Sequence, residues 1–222
     1  MPAGTITALR AQAKDPQRVN VFVNGEFAIS VSLNTISKEG LYAGKQLSEE
    51  DYARIVRAEG HDKAFQAALR FLEARPRSVA EIRDRLRRKE FGDEAIAAAT
   101  GRLSELGMLD DDAFARFWVE NRQAFRPRGA GALRDELRRK GVDRAVVETL
   151  LRDEALTGDE AGRAMMIARG ALRKYAATPD RKTFQRRMGG YLQRRGFGFD
   201  IIGPIIDTLW AELKDANDEE DR

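Results

Sequence analysis

The tripeptide Arg-Pro-Arg at 75–77 returns at 126–128, and Leu-Arg-Arg-Lys at 86–89 returns at 137–140, each displaced by 51 residues. Two motifs carried forward by one spacing mean that the chain is built from copies of a supersecondary unit, each burying its face against its neighbours. A third copy is more diverged. Leu192-Gln-Arg-Arg195-Gly-Phe197 matches Leu137-Arg-Arg-Lys140-Gly-Val142 at a spacing of 55, and Thr178-Pro179-Asp180 stands where the arginine corner would be.

Within each copy the apolar residues fall at helical spacing between breaks, which predicts three helices. In the first, Phe65, Ala68, Leu69 and Leu72 share a face. Ser78-Val-Ala-Glu81 then reads as a capping box before Ile82 and Leu86. Phe91-Gly-Asp93 breaks that helix, and Ile96, Ala99, Leu103 and Leu106 form a third that ends at Gly107. In the second copy Asp110, Asp111 and Asp112 supply N-cap candidates and negative charge at a helix start. Phe114, Phe117, Trp118 and Phe125 follow on one helical face, and Pro127 and Gly129 end the helix. Trp118 is therefore expected as a core anchor, not as a ring on which a base stacks. Leu133 and Leu137 line the next helix; Val146, Val147, Leu150 and Leu151 line the last. In the third copy Asp200, Ile201, Ile202 and Leu209 supply the closing helix, with an interruption expected at Pro204.

The first sixty residues follow another rule. Val19, Val21 and Val23 alternate, as do Phe27, Ile29 and Val31, around Asn24-Gly25, the strongest short hairpin signal. With Ile6 and Ala8 these predict a three-stranded sheet, which needs helical cover. The cover is expected at 33–38 and 48–58, the second opening on the capping pattern Ser48-Glu-Glu-Asp51. The fold class expected is mainly α: tandem three-helix, helix-turn-helix-like repeats in an elongated array, with a small N-terminal β-hairpin or sheet unit. The parts are a β unit with flanking helices at 1–60, repeats at 61–108, 109–155 and 156–213, and an acidic disordered tail at 214–222.

Charge narrows the function. Residues 1–60 are neutral, 61–210 carry +7 and 211–222 carry −4. A basic body favours a polyanion or an acidic protein surface over a small neutral ligand. There is no cysteine, so thiolate chemistry and disulfides are excluded. No apolar run reaches membrane-spanning length, so a cytoplasmic protein without membrane contact is expected. The single histidine, His61, lies in an expected linker between Gly60 and Asp62 and reads as a solvated loop residue. The aspartates at 110–112 are explained by capping without a metal, and the glycines match no phosphate-binding spacing. These patterns favour a protein that is not an enzyme and uses no cofactor or metal.

The Leu-Asp-Asp-Asp-x-Phe-Ala run at 109–115, Trp118 with Asn121-Arg122, and Phe125-Arg-Pro-Arg-Gly129 resemble the central motif of RecX-family regulators of the RecA recombinase. The Phe22–Phe27 strand pair resembles the N-terminal extension of longer members, so the likeness covers nearly everything except the acidic tail. The resemblance implies a monomeric regulatory protein that binds RecA or its nucleoprotein filament and mostly inhibits its recombinase and ATPase activities. The alternative is a helical-repeat adaptor that binds DNA directly. Under either reading the candidate surface is cationic: Arg75, Arg77, Arg87 and Arg88 in the first copy; Arg126, Arg128, Arg134, Arg138, Arg139 and Lys140 in the second; Arg194 and Arg195, with Arg186 and Arg187 nearby, in the third. Arg134 and Arg138, four apart, share a helix face.

Overall fold

Alternation in the first thirty residues produces strands β1 (Gly4–Ala11), β2 (Arg18–Val23) and β3 (Glu26–Ser32), paired antiparallel. The β2–β3 turn places Asn24 at φ 51° and Gly25 at φ 87°, the two left-handed residues that a tight hairpin requires. A two-residue strand β4 (Gln46–Leu47) pairs with the other edge of β1, giving the order β3-β2-β1-β4. The sheet is thus four-stranded, not three-stranded. Its inner face, with Ile6, Val21, Val23, Val31 and Leu47, packs with Leu41 and Ile55.

The computed structural model describes residues 3–178 and 180–220, with side chains through residue 215. It forms two compact units, one ending at Asp110 and one beginning at Asp111. In the first unit, α1 (Leu33–Glu39) covers the sheet together with α2 (Glu49–Leu72). Helix α2 opens with the expected Ser48/Asp51 capping box, whose hydrogen bonds from Ser48, backbone first, and then from Arg54 lower the Asp51 carboxyl from 3.8 to about 2. Its length corrects the sequence reading. It runs unbroken through residues 60 and 61, so no linker falls there and His61 is a helical residue, with Nε2 3.4 Å from Glu94. The cause is a buried face that changes partner along the helix. Ile55 and Glu59 face the sheet side, while Ala64, Phe65 and Ala68 enter the core of the first triplet. Glu59, 2% exposed, accepts from the Ser32 N–H (2.8 Å) and the Thr35 hydroxyl (3.1 Å). Its other oxygen stands 2.9 Å from Arg18, an ion pair without hydrogen-bond alignment.

The first triplet is completed by α3 (Val79–Arg87), behind the Ser78/Glu81 capping box, and α4 (Asp93–Glu105). The second unit holds α5 (Asp111–Phe125), α6 (Ala130–Arg139), α7 (Arg144–Leu151) and the short α8 (Glu154–Thr157). The third triplet follows: α9 (Glu160–Ala176), α10 (Arg181–Gln193) and α11 (Phe199–Glu220). Equivalent positions are buried throughout: Ile82, Leu133 and Met188; Leu86, Leu137 and Leu192; Ile96, Val147 and Ile202; Ala99, Leu150 and Ile205. Each triplet closes its own apolar core.

The same turn ends all three middle helices. Phe91, Val142 and Phe197 donate to the carbonyls of Leu86, Leu137 and Leu192, while Glu90, Gly141 and Gly196 donate to Arg87, Arg138 and Gln193. This is the paired 6→1 and 5→2 closure of a helix on a left-handed residue. Gly141 (φ 77°) and Gly196 (φ 90°) suit that conformation, but the first triplet has Glu90 at φ 63°. Left-handed backbone costs a residue with a Cβ about 1–2 kcal/mol. Glu90→Gly, despite the added freedom of the unfolded chain, is therefore expected to stabilise the first unit by about 0.5–1 kcal/mol. Chemical denaturation checks it; a loss of stability would show that the Glu90 side chain has an unrecognised role.

Three further expectations need correction. Phe114, Ala115 and Val119 are the buried residues of α5 and Trp118 is half-buried, but Phe125 is 77% exposed. It lies at the last turn, beyond the reach of the core. Helix α11 is not interrupted at Pro204: the proline removes a single backbone donor near the helix start, and Ile202, Ile205, Ile206 and Leu209 keep that face buried. The same helix continues to Glu220, so the backbone at 214–220 is helical where composition suggested disorder; residues 221–222 lie outside the described residues.

Candidate functional site

The arginine corners differ in what they hold. In the first triplet both arginines fold back on the chain. Arg75 forks onto Glu81 at 2.9 and 3.1 Å, and these hydrogen bonds raise its pKa against the effect of burial. Arg77 donates Nε–H to the Phe71 carbonyl at the end of α2, 2.8 Å away; burial, and then the Arg75 charge, lower its pKa. Both side chains secure the α2–α3 turn. In the second triplet Arg126 is exposed, and Arg128 leans toward Glu136 at 4.0 Å.

Glu136, on α6, is the centre of a small cluster. It accepts from the Trp118 indole N–H at 2.8 Å and from Arg122 at 2.6 Å. The Trp118 ring lies under two cations, the Arg122 guanidinium at 4.3 Å and the Lys140 ammonium at 4.2 Å. Trp118 thus joins α5 to α6 through its polar edge as well as its ring. The tie from this region to Glu136 falls mainly to Arg122 rather than to the corner arginines.

The face proposed for Arg134 and Arg138 is divided. Arg134 forks onto Glu148 of α7 at 2.7 and 3.2 Å; the bonds raise the arginine's pKa and lower the glutamate's. Arg138 is exposed, and no ion pair holds it among the described residues. Arg139 is exposed too, reaching back to the Asp135 carbonyl at 3.1 Å. Arg87 sits 3.6 Å from Asp84 and 3.5 Å from Asp93, contacts that solvent screens. Arg88 and Arg194 are exposed without an ion pair among the described residues.

Two sets of equivalent cations emerge, one residue of each set in every triplet. Arg88, Arg139 and Arg194 stand at one position, the end of the middle helix, and all three are exposed. Lys89, Lys140 and Arg195 stand at the next, and each lies over an aromatic ring: Phe71 at 5.5 Å, Trp118 at 4.2 Å and Tyr191 at 3.9 Å. In each triplet the first presents charge, and the second braces the helix end from which that charge projects.

Sequence reasoning also missed Lys174 and Tyr175, at the end of α9, which line an open cleft of about 400 Å³ with Arg186, Arg187 and Arg194. The signal was present in Arg186-Arg187, but Lys174 joins them only through tertiary packing. A larger groove of about 630 Å³ lies where α6 meets the third triplet. Both charge signs line it, with Arg134, Asp135, Glu160, Arg194 and Asp200. Among the described residues no cluster of histidine, aspartate or glutamate is arranged to hold a metal ion, and no helix is long and apolar enough to cross a membrane.

These features define a tandem three-helix repeat protein with cations set at repeating positions. Four family models match in succession: the regulatory protein RecX N-terminal domain at residues 4–48, then the first, second and third RecX three-helix domains at 64–103, 110–151 and 159–206. Regulatory protein RecX of Bacillus subtilis is 32% identical over 215 residues, covering 97% of this chain and 81% of the relative. That of Lactobacillus delbrueckii subsp. bulgaricus is 33% identical over 218 residues, covering 98% and 78%. The chain belongs to the RecX family of regulatory proteins. A crystal structure of regulatory protein RecX shares the fold, with a TM-score of 0.77 over 91% of this chain and 98% of that one at 24% identity. The crystal structure of RecX from Lactobacillus salivarius aligns with a TM-score of 0.60 at 25% identity, over 68% and 97%.

Proposed function

We propose that this protein is a non-catalytic cytoplasmic regulator that acts as a monomer, binds RecA or its DNA filament and lowers its recombinase and ATPase activities. The relatives' names and the match to every RecX domain support the choice of target. The observation that supports a cationic contact is that the arginine at one equivalent position of each triplet, Arg88, Arg139 and Arg194, is exposed. Cations at helix ends are favoured by the helix dipole alone, but the dipole does not require arginine at one position in three diverged copies. Arg126 joins this surface in the second triplet. Arg75, Arg77 and Arg134 are committed to structural contacts and are secondary candidates.

The test is RecA ATP hydrolysis on single-stranded DNA with increasing amounts of this protein. Changing Arg88, Arg126 and Arg139 together to Ala should raise the half-inhibitory concentration about tenfold, since three exposed charge contacts of about 0.5 kcal/mol each sum to roughly that factor. Circular dichroism and melting should be unchanged. A folded triple variant with full potency would refute this surface.

A further inference from the structure

The third triplet gathers charge that no ion pair among the described residues neutralises. Several cations of the first two triplets are matched to carboxylates: Arg75 to Glu81, Arg122 to Glu136, Arg134 to Glu148. The third triplet uses the same device to tie α9 and α10 to α11, pairing Arg169 with Glu212 and Arg181 with Asp207. Around the cleft between the end of α9 and the outer face of α10 the pattern stops. Lys174, Arg186, Arg187 and Arg194 line it, all exposed, and none forms an ion pair among the described residues. The Asp180 carboxyl is held below its ordinary pKa by hydrogen bonds from Thr183, backbone and then side chain, and least by the Arg186 charge. That carboxylate is occupied in capping α10 through Thr183. Four like charges around one concavity repel one another, and an anionic ligand would relieve that repulsion.

The wall of the cleft is aromatic. Tyr175 lines it, backed by Tyr191 with ring centroids 5.5 Å apart, and Arg195 lies 3.9 Å over the Tyr191 ring. A cationic trough beside a supported ring is what a flexible nucleic-acid strand needs: phosphates for the cations, and a base face for the ring. An acidic peptide would use the cations but gain little from the tyrosine. A duplex keeps its bases stacked away from it.

We propose that this cleft of the third triplet binds the backbone of single-stranded nucleic acid, with Lys174, Arg186, Arg187 and Arg194 on phosphates and Tyr175 against a base. The inference rests on the reading that the cationic surfaces serve a DNA-bearing filament, and it places the strand contact in the copy that lacks the Arg-Pro-Arg corner.

The experiment is fluorescence anisotropy of a labelled oligothymidylate titrated with the full chain across a salt series. Arg186→Ala with Arg187→Ala should weaken binding at least about tenfold and make the log–log salt slope shallower by about 1.4, the loss of two single-strand phosphate contacts. Tyr175→Leu should weaken binding without changing the slope; Tyr175→Phe should bind like the parent protein. Melting curves establish that each variant is folded. Unchanged affinity in the folded double variant overturns the site. Equal affinity for a duplex of the same length, or for an oligoglutamate competitor, overturns the single-strand assignment. RecA ATP hydrolysis measured in parallel separates the two ideas. Inhibition that persists after strand binding is lost leaves the regulatory reading standing, and strand binding without any inhibition by the parent protein refutes the regulatory reading alone.

Discussion

Replacing Gly196 by Ala should cost the second unit about 3–5 kcal/mol. Two penalties coincide. The residue sits at φ 90°, where a Cβ is strained, and that Cβ would lie 2.1 Å from the Ala132 backbone nitrogen. Strain of this kind alone costs about 1–3 kcal/mol, and the clash is with backbone, which cannot swing aside. The approach is reciprocal. Gly129 and Gly131 donate backbone hydrogen bonds to the carbonyls of Arg195 and Gly196, at 2.9 and 3.0 Å, and a Cβ on Gly129 would meet the Gly196 carbonyl at 2.4 Å. Three glycines thus join the start of α6 to the end of α10. Gly170→Ala, in open space on α9, should instead stabilise by about 0.5–1 kcal/mol. Amide hydrogen exchange localises both effects. A loss below about 1 kcal/mol for Gly196→Ala would mean that the junction yields.

The second large effect belongs to Glu59. Glu59→Ala leaves the Ser32 amide and the Thr35 hydroxyl without their acceptor and Arg18 without its carboxylate, with only its hydrogen bonds to Ser30. Removing one member of a buried pair costs about 3–5 kcal/mol. Glu59→Gln keeps an acceptor and loses only the charge, so about 1–3 kcal/mol is expected. The loss should appear in the amides of the sheet and α1 before those of the second unit. Equal effects of Ala and Gln would show that the charge, not the hydrogen bonds, holds the sheet to α2.

What could be read in advance follows from what repeats. The spacing of Leu86, Leu137 and Leu192 exposed the copies because one buried leucine per middle helix is an unavoidable demand of packing. Helix α2 defeated the reading because its buried face includes Glu59 and Asp62. Their polarity, beside Gly60 and His61, resembles a linker until their partners are known. Asn34 donates to Asp62 at 2.6 Å from 28 positions away. Phe125 misled for the opposite reason, since periodicity continues to the helix end while the core does not. The cationic surface was legible as composition but not as geometry. Nothing in spacing tells Arg134, held by a glutamate 14 positions on, from Arg138, which is exposed. Lys174 and Arg187 are neighbours only after α9 and α10 have packed.

Near-copies in one polypeptide carry a hazard during folding: a helix from one triplet can dock where its counterpart belongs, trapping the chain in an exchanged arrangement. The matched core positions are graded against this. Ala99 leaves far less volume at one site than Leu150 or Ile205, which differ from each other in branching, and Ile82, Leu133 and Met188 fill another with three different shapes. A third helix of the first triplet inserted into the second would leave a void where Leu150 belongs, and the reverse exchange would overfill the site at Ala99. The divergence among copies that hides the repeat from casual inspection therefore also gives each helix an address.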